Sequence, residues 1–144
     1  MTRFKQTSLI VIFVLSSLLS MSTVAASLKV ITNVSVEDSH LKLKDLRSIY
    51  TMKKNLWSNG DRIVVFVLSD DSGVHKDFCR QLLKVFPRQL ESVWYRLVYS
   101  GTGERPVSVS SEKEMMALVA NTPGAIGYIR SEGLHEETKI ITIK

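Results

Sequence analysis

At 144 residues, with 44% hydrophobic and 23% charged side chains, the chain has the composition of a globular protein, which argues against disorder, and a length for which one domain is the expectation. Its formal charge of +5 includes Arg3 and Lys5 at the amino terminus. The remaining basic residues alternate with acids, so no continuous basic surface for nucleic acid is expected. The single cysteine, Cys79, excludes an intrachain disulfide; it lies in an apolar helical pattern and reads as a buried small hydrophobe.

Met1 to Ala26 has the three parts of a secretory signal. Arg3 and Lys5 make a positive start, an apolar run extends from Leu9 through Leu19, and small residues close the segment at Val24-Ala25-Ala26. The apolar run is short for a spanning helix and is broken by Ser16 and Ser17, so cleavage after Ala26 is expected rather than anchoring. The predicted organisation is a signal over 1–26 and an exported periplasmic domain over 27–144, with no stable membrane insertion after cleavage.

Leu28–Thr32 alternates with β-branched residues and predicts a strand. Residues 33–41 read as a polar connection. Leu43, Leu46, Ile49 and Tyr50 recur at helical spacing. Ser58-Asn59-Gly60-Asp61 is a turn, and Arg62–Leu68 is a buried strand. Val74, Phe78, Leu82 and Phe86 predict one apolar helix face up to Pro87, and Leu90, Val93, Trp94, Leu97 and Val98 predict a second. Val107–Val109 is a short extended piece. Ser110 or Ser111 can cap a helix carrying Met115, Leu118 and Val119, with Glu112 and Glu114 in its first turn. Pro123-Gly124 breaks the chain before strands at Ala125–Ile129 and Lys139–Ile143. Strands interleaved with helices predict an α/β domain: one three-layer lobe with a mixed, mostly parallel sheet flanked by helices.

The chemically informative segment is the strand-to-helix junction Ser69-Asp70-Asp71-Ser72-Gly73-Val74-His75-Lys76. In open α/β sheets ligands bind at the carboxyl ends of strands, and a helix start presents unpaired N–H groups to an anion. Ser69, Ser72 and Gly73 can supply hydroxyl and backbone donors, Asp70 can accept from a protonated oxyanion, and Lys76 adds positive charge, as His75 does if protonated. The competing reading is structural: Asp71 or Ser72 caps the helix and does nothing more. No nucleophile and base, G-x-S-x-G elbow, P-loop or metal spacing is recognisable, so neither an enzyme nor a cofactor is expected.

Several segments in order resemble one family. Leu46-Arg47-Ser48-Ile49-Tyr50 with Trp57-Ser58-Asn59-Gly60, Tyr95–Gly101, and above all Pro123-Gly124-Ala125-Ile126-Gly127-Tyr128 are similar to runs of the phosphate ABC-transporter substrate-binding proteins. The resemblance implies a type II periplasmic-binding-protein-like fold and a phosphate loop reading R-S-D-G-S-G-T. Ser69, Asp70, Ser72 and Gly73 match that loop; Leu68 replaces its arginine, Asp71 a glycine and Val74 the threonine. An arginine fork matches phosphate geometry, whereas Lys76 offers a point charge. The implied function is an exported solute-binding-like protein for phosphate or a similar oxyanion. The alternative is a ligand-free interaction module of an envelope transporter, sensor or receptor complex, favoured by the replaced arginine and the single-lobe length.

Overall fold

Val64–Leu68 and Ala125–Ile129 are unbroken apolar runs, and such runs are buried on both faces of a sheet. In the computed structural model, which describes residues 26–130 and 134–144, they pair in parallel at the heart of a five-stranded sheet. In chain order the elements are β1 (Lys29–Asn33), β2 (His40–Leu41), α1 (Leu43–Tyr50), β3 (Val64–Leu68), α2 (Gly73–Phe78), a π-helical turn at Cys79–Leu83, α3 (Pro87–Tyr99), β4 (Val107–Val109), α4 (Glu112–Asn121), β5 (Ala125–Ile129), β6 (Thr138–Ile140) and β7 (Thr142–Ile143). Except for Ala26, the predicted signal lies outside the described residues.

The sheet runs β4-β3-β5-β1-β6. β3 is parallel to β4 and β5, while β1 is antiparallel to both its neighbours, so one strand of the five is reversed. β2 and β7 form a separate parallel pair. The alternation of β5 creates the layers. Gly127 lies against α4, where a Cβ would press on Met115 and Val119. Tyr128, on the opposite face, stacks on Phe78 with ring centres 3.8 Å apart, and Phe78 meets Tyr50 edge-on at 4.7 Å. α4 therefore covers one face, and α1 and α2 the other. α3 lies over α1, with Trp94 Nε1 donating to the Tyr50 carbonyl at 2.8 Å.

Caps across the fold tie these layers together. Asn33 at the end of β1 donates through Nδ2 to the Val119 and Ala120 carbonyls at 2.9 and 2.7 Å, satisfying the carboxyl end of α4. Ser111 caps the other end, accepting from the Glu114 N–H.

Three expectations need correction. The helix after β3 does not keep one apolar face to Pro87. The π-helical turn inserts a wider i→i+5 turn and Lys84 ends it in a left-handed conformation, so the burial shifts to His75, Phe78, Cys79 and Leu83. Phe86 is thereby left 66% exposed. The final strand is two strands, because Ile141 turns into the core between β6 and β7 and its N–H bonds to Val30. His40–Leu41, read as connection, forms β2 because β7 supplies its partner.

Candidate functional site

β3, β4 and β5 are parallel, so their carboxyl ends share one edge of the sheet. The Ser69–Gly73 turn leaves β3 there, and Arg130 follows β5 there. Leu68, where the resembling loop has an arginine, is buried, and its N–H donates to the Tyr128 hydroxyl at 2.9 Å.

The turn is built from short-range bonds. The Ser69 carbonyl accepts the Ser72 N–H at 2.9 Å. Ser72 caps α2: its Oγ accepts the His75 N–H at 3.4 Å, and its carbonyl accepts the Lys76 N–H at 3.1 Å. Of the two expected caps, Ser72 takes the role. Ser69, Asp70, Asp71 and Gly73 are exposed and Ser72 is half-buried. A Cβ on Gly73 would meet nothing within 4 Å, so the backbone there is open to a small ligand. Gly73 and Val74 occupy the first turn, whose N–H groups have no acceptor within the helix.

Beside the turn lies an open groove of about 750 Å³. Asp70, Asp71, Lys76 and Arg80 line it together with Phe86, Arg88 and Glu91 from the start of α3. Lys76 is exposed, and its Nζ donates to the Asp71 carbonyl at 3.3 Å. The predicted site residues thus divide: Ser69, Ser72 and Gly73 form the turn, while Asp70 and Lys76 also line the groove. Residue-by-residue reading missed Arg80, Arg88 and Arg130. Arg80 donates to Asp77 at 2.7 Å, and Arg130 bonds the other oxygen of the same carboxylate. These hydrogen bonds, Arg130's foremost and then Arg80's, hold the Asp77 carboxyl below its usual range. The signal for Arg130 was its place immediately after a fully buried strand.

His75 does not add positive charge to the turn. Its side chain is fully buried, and desolvation lowers its pKa from 6.5, with nearby Asp70 opposing that shift. Its Nδ1 lies 2.5 Å from the Tyr128 hydroxyl, whose oxygen already accepts from Leu68. Tyr128 therefore donates to Nδ1, an assignment from the network, and the Nε2–H faces Asp70 Oδ1 and Cys79 Sγ, each at 3.5 Å. Burial, with Asp70 adding to it, pushes the Cys79 thiol up to about 12, so it stays protonated, as expected of a buried small hydrophobe. His75 is a strut that ties the turn at Asp70 to the centre of the sheet at Tyr128.

The same arrangement of elements occurs in solved structures. An ABC-type phosphate transport receptor from Vibrio cholerae superposes with a TM-score of 0.61 at 20% identity, over 81% of this chain and 45% of that one. A putative phosphate ABC transporter substrate-binding protein from Clostridium perfringens, crystallised with bound phosphate, gives 0.65 at 21% identity, over 81% and 44%. PstS from Borrelia burgdorferi gives 0.63 at 20%, over 81% and 47%. The fold is that of the phosphate ABC-transporter substrate-binding proteins. The chain spans less than half the length of each of these structures. No family model and no curated protein matches its sequence. The resemblance first carried by Pro123–Tyr128 and the Leu46–Tyr50 run is thus borne out in three dimensions. Among the described residues no helix is long and apolar enough to cross a membrane.

Proposed function

We propose that this protein is an exported solute-binding module that holds phosphate or a similar small oxyanion at the Ser69–Gly73 turn. The observation that carries the reading is the unobstructed backbone at Gly73, on the carboxyl edge of a fold whose Clostridium perfringens counterpart was crystallised with phosphate. Ser69 and the first-turn N–H groups of α2 donate to the anion, Asp70 accepts from its protonated oxygen, and Lys76 supplies charge from the groove wall. Because the turn is solvent-reachable and Leu68 provides no fork, the binding is weak. A millimolar dissociation constant corresponds to about 4 kcal/mol. The signal-like Met1–Ala26 segment supports export to the periplasm, where delivery to an envelope transporter is the natural role.

Titration calorimetry with inorganic phosphate at low salt tests the binding. Saturable heat that weakens in Ser69→Ala and Lys76→Ala is the expected result. Absence of heat at millimolar phosphate removes the reading. For export, mass spectrometry of protein recovered from the periplasm is expected to find Ser27 at the amino terminus.

A further inference from the structure

A second polar pocket, away from the turn, holds three cations and no carboxylate. It measures about 260 Å³ and is lined by Lys44, Arg47, Ser48 and Thr51 of α1 and its end, by Lys53, and by an apolar floor of Leu83, Val85 and Leu90. Lys44, Arg47, Ser48 and Thr51 stand at i, i+3, i+4 and i+7, so they form one stripe along the helix. The chain then turns back at Met52, which takes a positive φ of 59°, and brings Lys53 to the same hollow.

Cations near a helix carboxyl end are commonly explained by the exposed carbonyls and the dipole. Here the last carbonyls are already satisfied. Arg47 O accepts from the N–H and Oγ of Thr51, and Ser48 O from the N–H groups of Lys53 and Lys54. Ile49 O accepts from Met52 N–H, and Tyr50 O from Trp94. The nearby carboxylate, Asp45, lies 3.9 Å from Lys54. Among the described residues no ion pair involves Lys44, Arg47 or Lys53. Three like charges around one hollow repel one another, and an anion from outside the chain relieves that repulsion. The two terminal nitrogens of the Arg47 guanidinium form an edge that matches two oxygens of one oxyanion.

We propose that this pocket is a second anion site, selective for a small organic phosphate monoester. Its dianionic head sits among Lys44, Arg47 and Lys53, and its short apolar body lies on Leu83, Val85 and Leu90. A monoester carries a charge of about −1.5 to −2 at neutral pH, which suits three cations better than a single carboxylate does. The volume falls just under the range of about 300–1,000 Å³ for sites that bury drug-sized ligands, which fits a small organic anion. The site is independent of the Ser69–Gly73 turn, so either can fail without the other.

The test is an amide-detected NMR titration of the protein with n-butyl phosphate, with inorganic phosphate and n-butanol as comparison probes. Saturable shifts at residues 44–53 and 83–90 are expected, together with a shift of the Arg47 Nε–H. Arg47→Gln is expected to weaken binding by about tenfold or more, and Lys53→Ala by about two- to fivefold. Lys53 is exposed, so its variant retains the fold if Arg47→Gln does not. Ser69→Ala should leave this site unchanged. Shifts confined to residues 69–76, no saturation, or insensitivity to both substitutions would overturn the proposal. Equal affinity for inorganic phosphate, or the same shifts with butanol, would overturn the assignment to a monoester.

Discussion

His75 is held without charge between Tyr128 and Asp70, and that places a pH dependence on the fold. Its folded-state pKa lies below the ordinary 6.5, so the unfolded chain takes up the proton first as pH falls. Its contribution is therefore complete above about pH 6.5 and is lost as pH drops from there through the folded value. Thermal unfolding followed from pH 7.5 to 5 is expected to show a falling midpoint, and His75→Gln is expected to flatten that fall. Two other side chains make opposite predictions about removal and addition of atoms. The Tyr50 hydroxyl is buried with no hydrogen-bond partner among the described residues, so Tyr50→Phe should cost nothing and can stabilise by up to about 1 kcal/mol in urea denaturation. Gly124 has φ +73°, and a Cβ there would strike the Arg62 carbonyl. Gly124→Ala should destabilise by about 2 kcal/mol or more, read from the urea midpoint. At this scale Cys79 was legible in the sequence, because an apolar neighbourhood predicts its burial. His75 was not: its partner Tyr128 is 53 positions away, and Tyr128 is in turn 60 positions from Leu68, whose N–H it accepts.

The elements show how local signals survive and where they give way. α1 occupies the predicted Leu43–Tyr50, with Leu46, Ile49 and Tyr50 buried, and α4 begins at the predicted serine cap. Both carry strong periodicity and strong ends. The α2 segment has the same kind of pattern, yet the π-helical turn and Lys84 at φ 56° redirect it. A lysine in the left-handed region costs about 1–2 kcal/mol, which glycine avoids at the expense of some unfolded-state entropy. Lys84→Gly is therefore expected to raise stability by about 0.5–1 kcal/mol in chemical denaturation. No loss of the α3 start is expected, because that start is fixed separately by Gln89 accepting the Phe86 N–H at 2.9 Å. The redirection also opens the groove beside the turn, since it swings Phe86 out beside Arg88 and Glu91.

Across the whole molecule, two tryptophans join distant parts of the chain. Trp57 donates to the Gly124 carbonyl at 2.9 Å, and Trp94 to the Tyr50 carbonyl at 2.8 Å, linking the strand β5 entry and the α1–α3 layer to the same core. Single-domain cooperativity then predicts that Trp57→Phe and Trp94→Phe each leave one indole reporting a midpoint coincident with that from far-UV circular dichroism. Separated midpoints would mean that the α3 layer unfolds on its own. Sequence alone determined the α/β class, the parallel core strands and the likeness to phosphate-receptor folds, because unbroken β-branched runs, helical stripes and the Pro123–Tyr128 turn are local patterns. It also located the Ser69–Gly73 turn as the candidate site. Only the tertiary structure decided that His75 is a neutral strut, that Arg80 and Arg130 share Asp77, and that Lys44, Arg47 and Lys53 meet over Leu83 and Leu90. Each of those depends on which side chains packing brings together from segments far apart in the chain, and the His75 charge state also depends on the desolvation that this packing imposes.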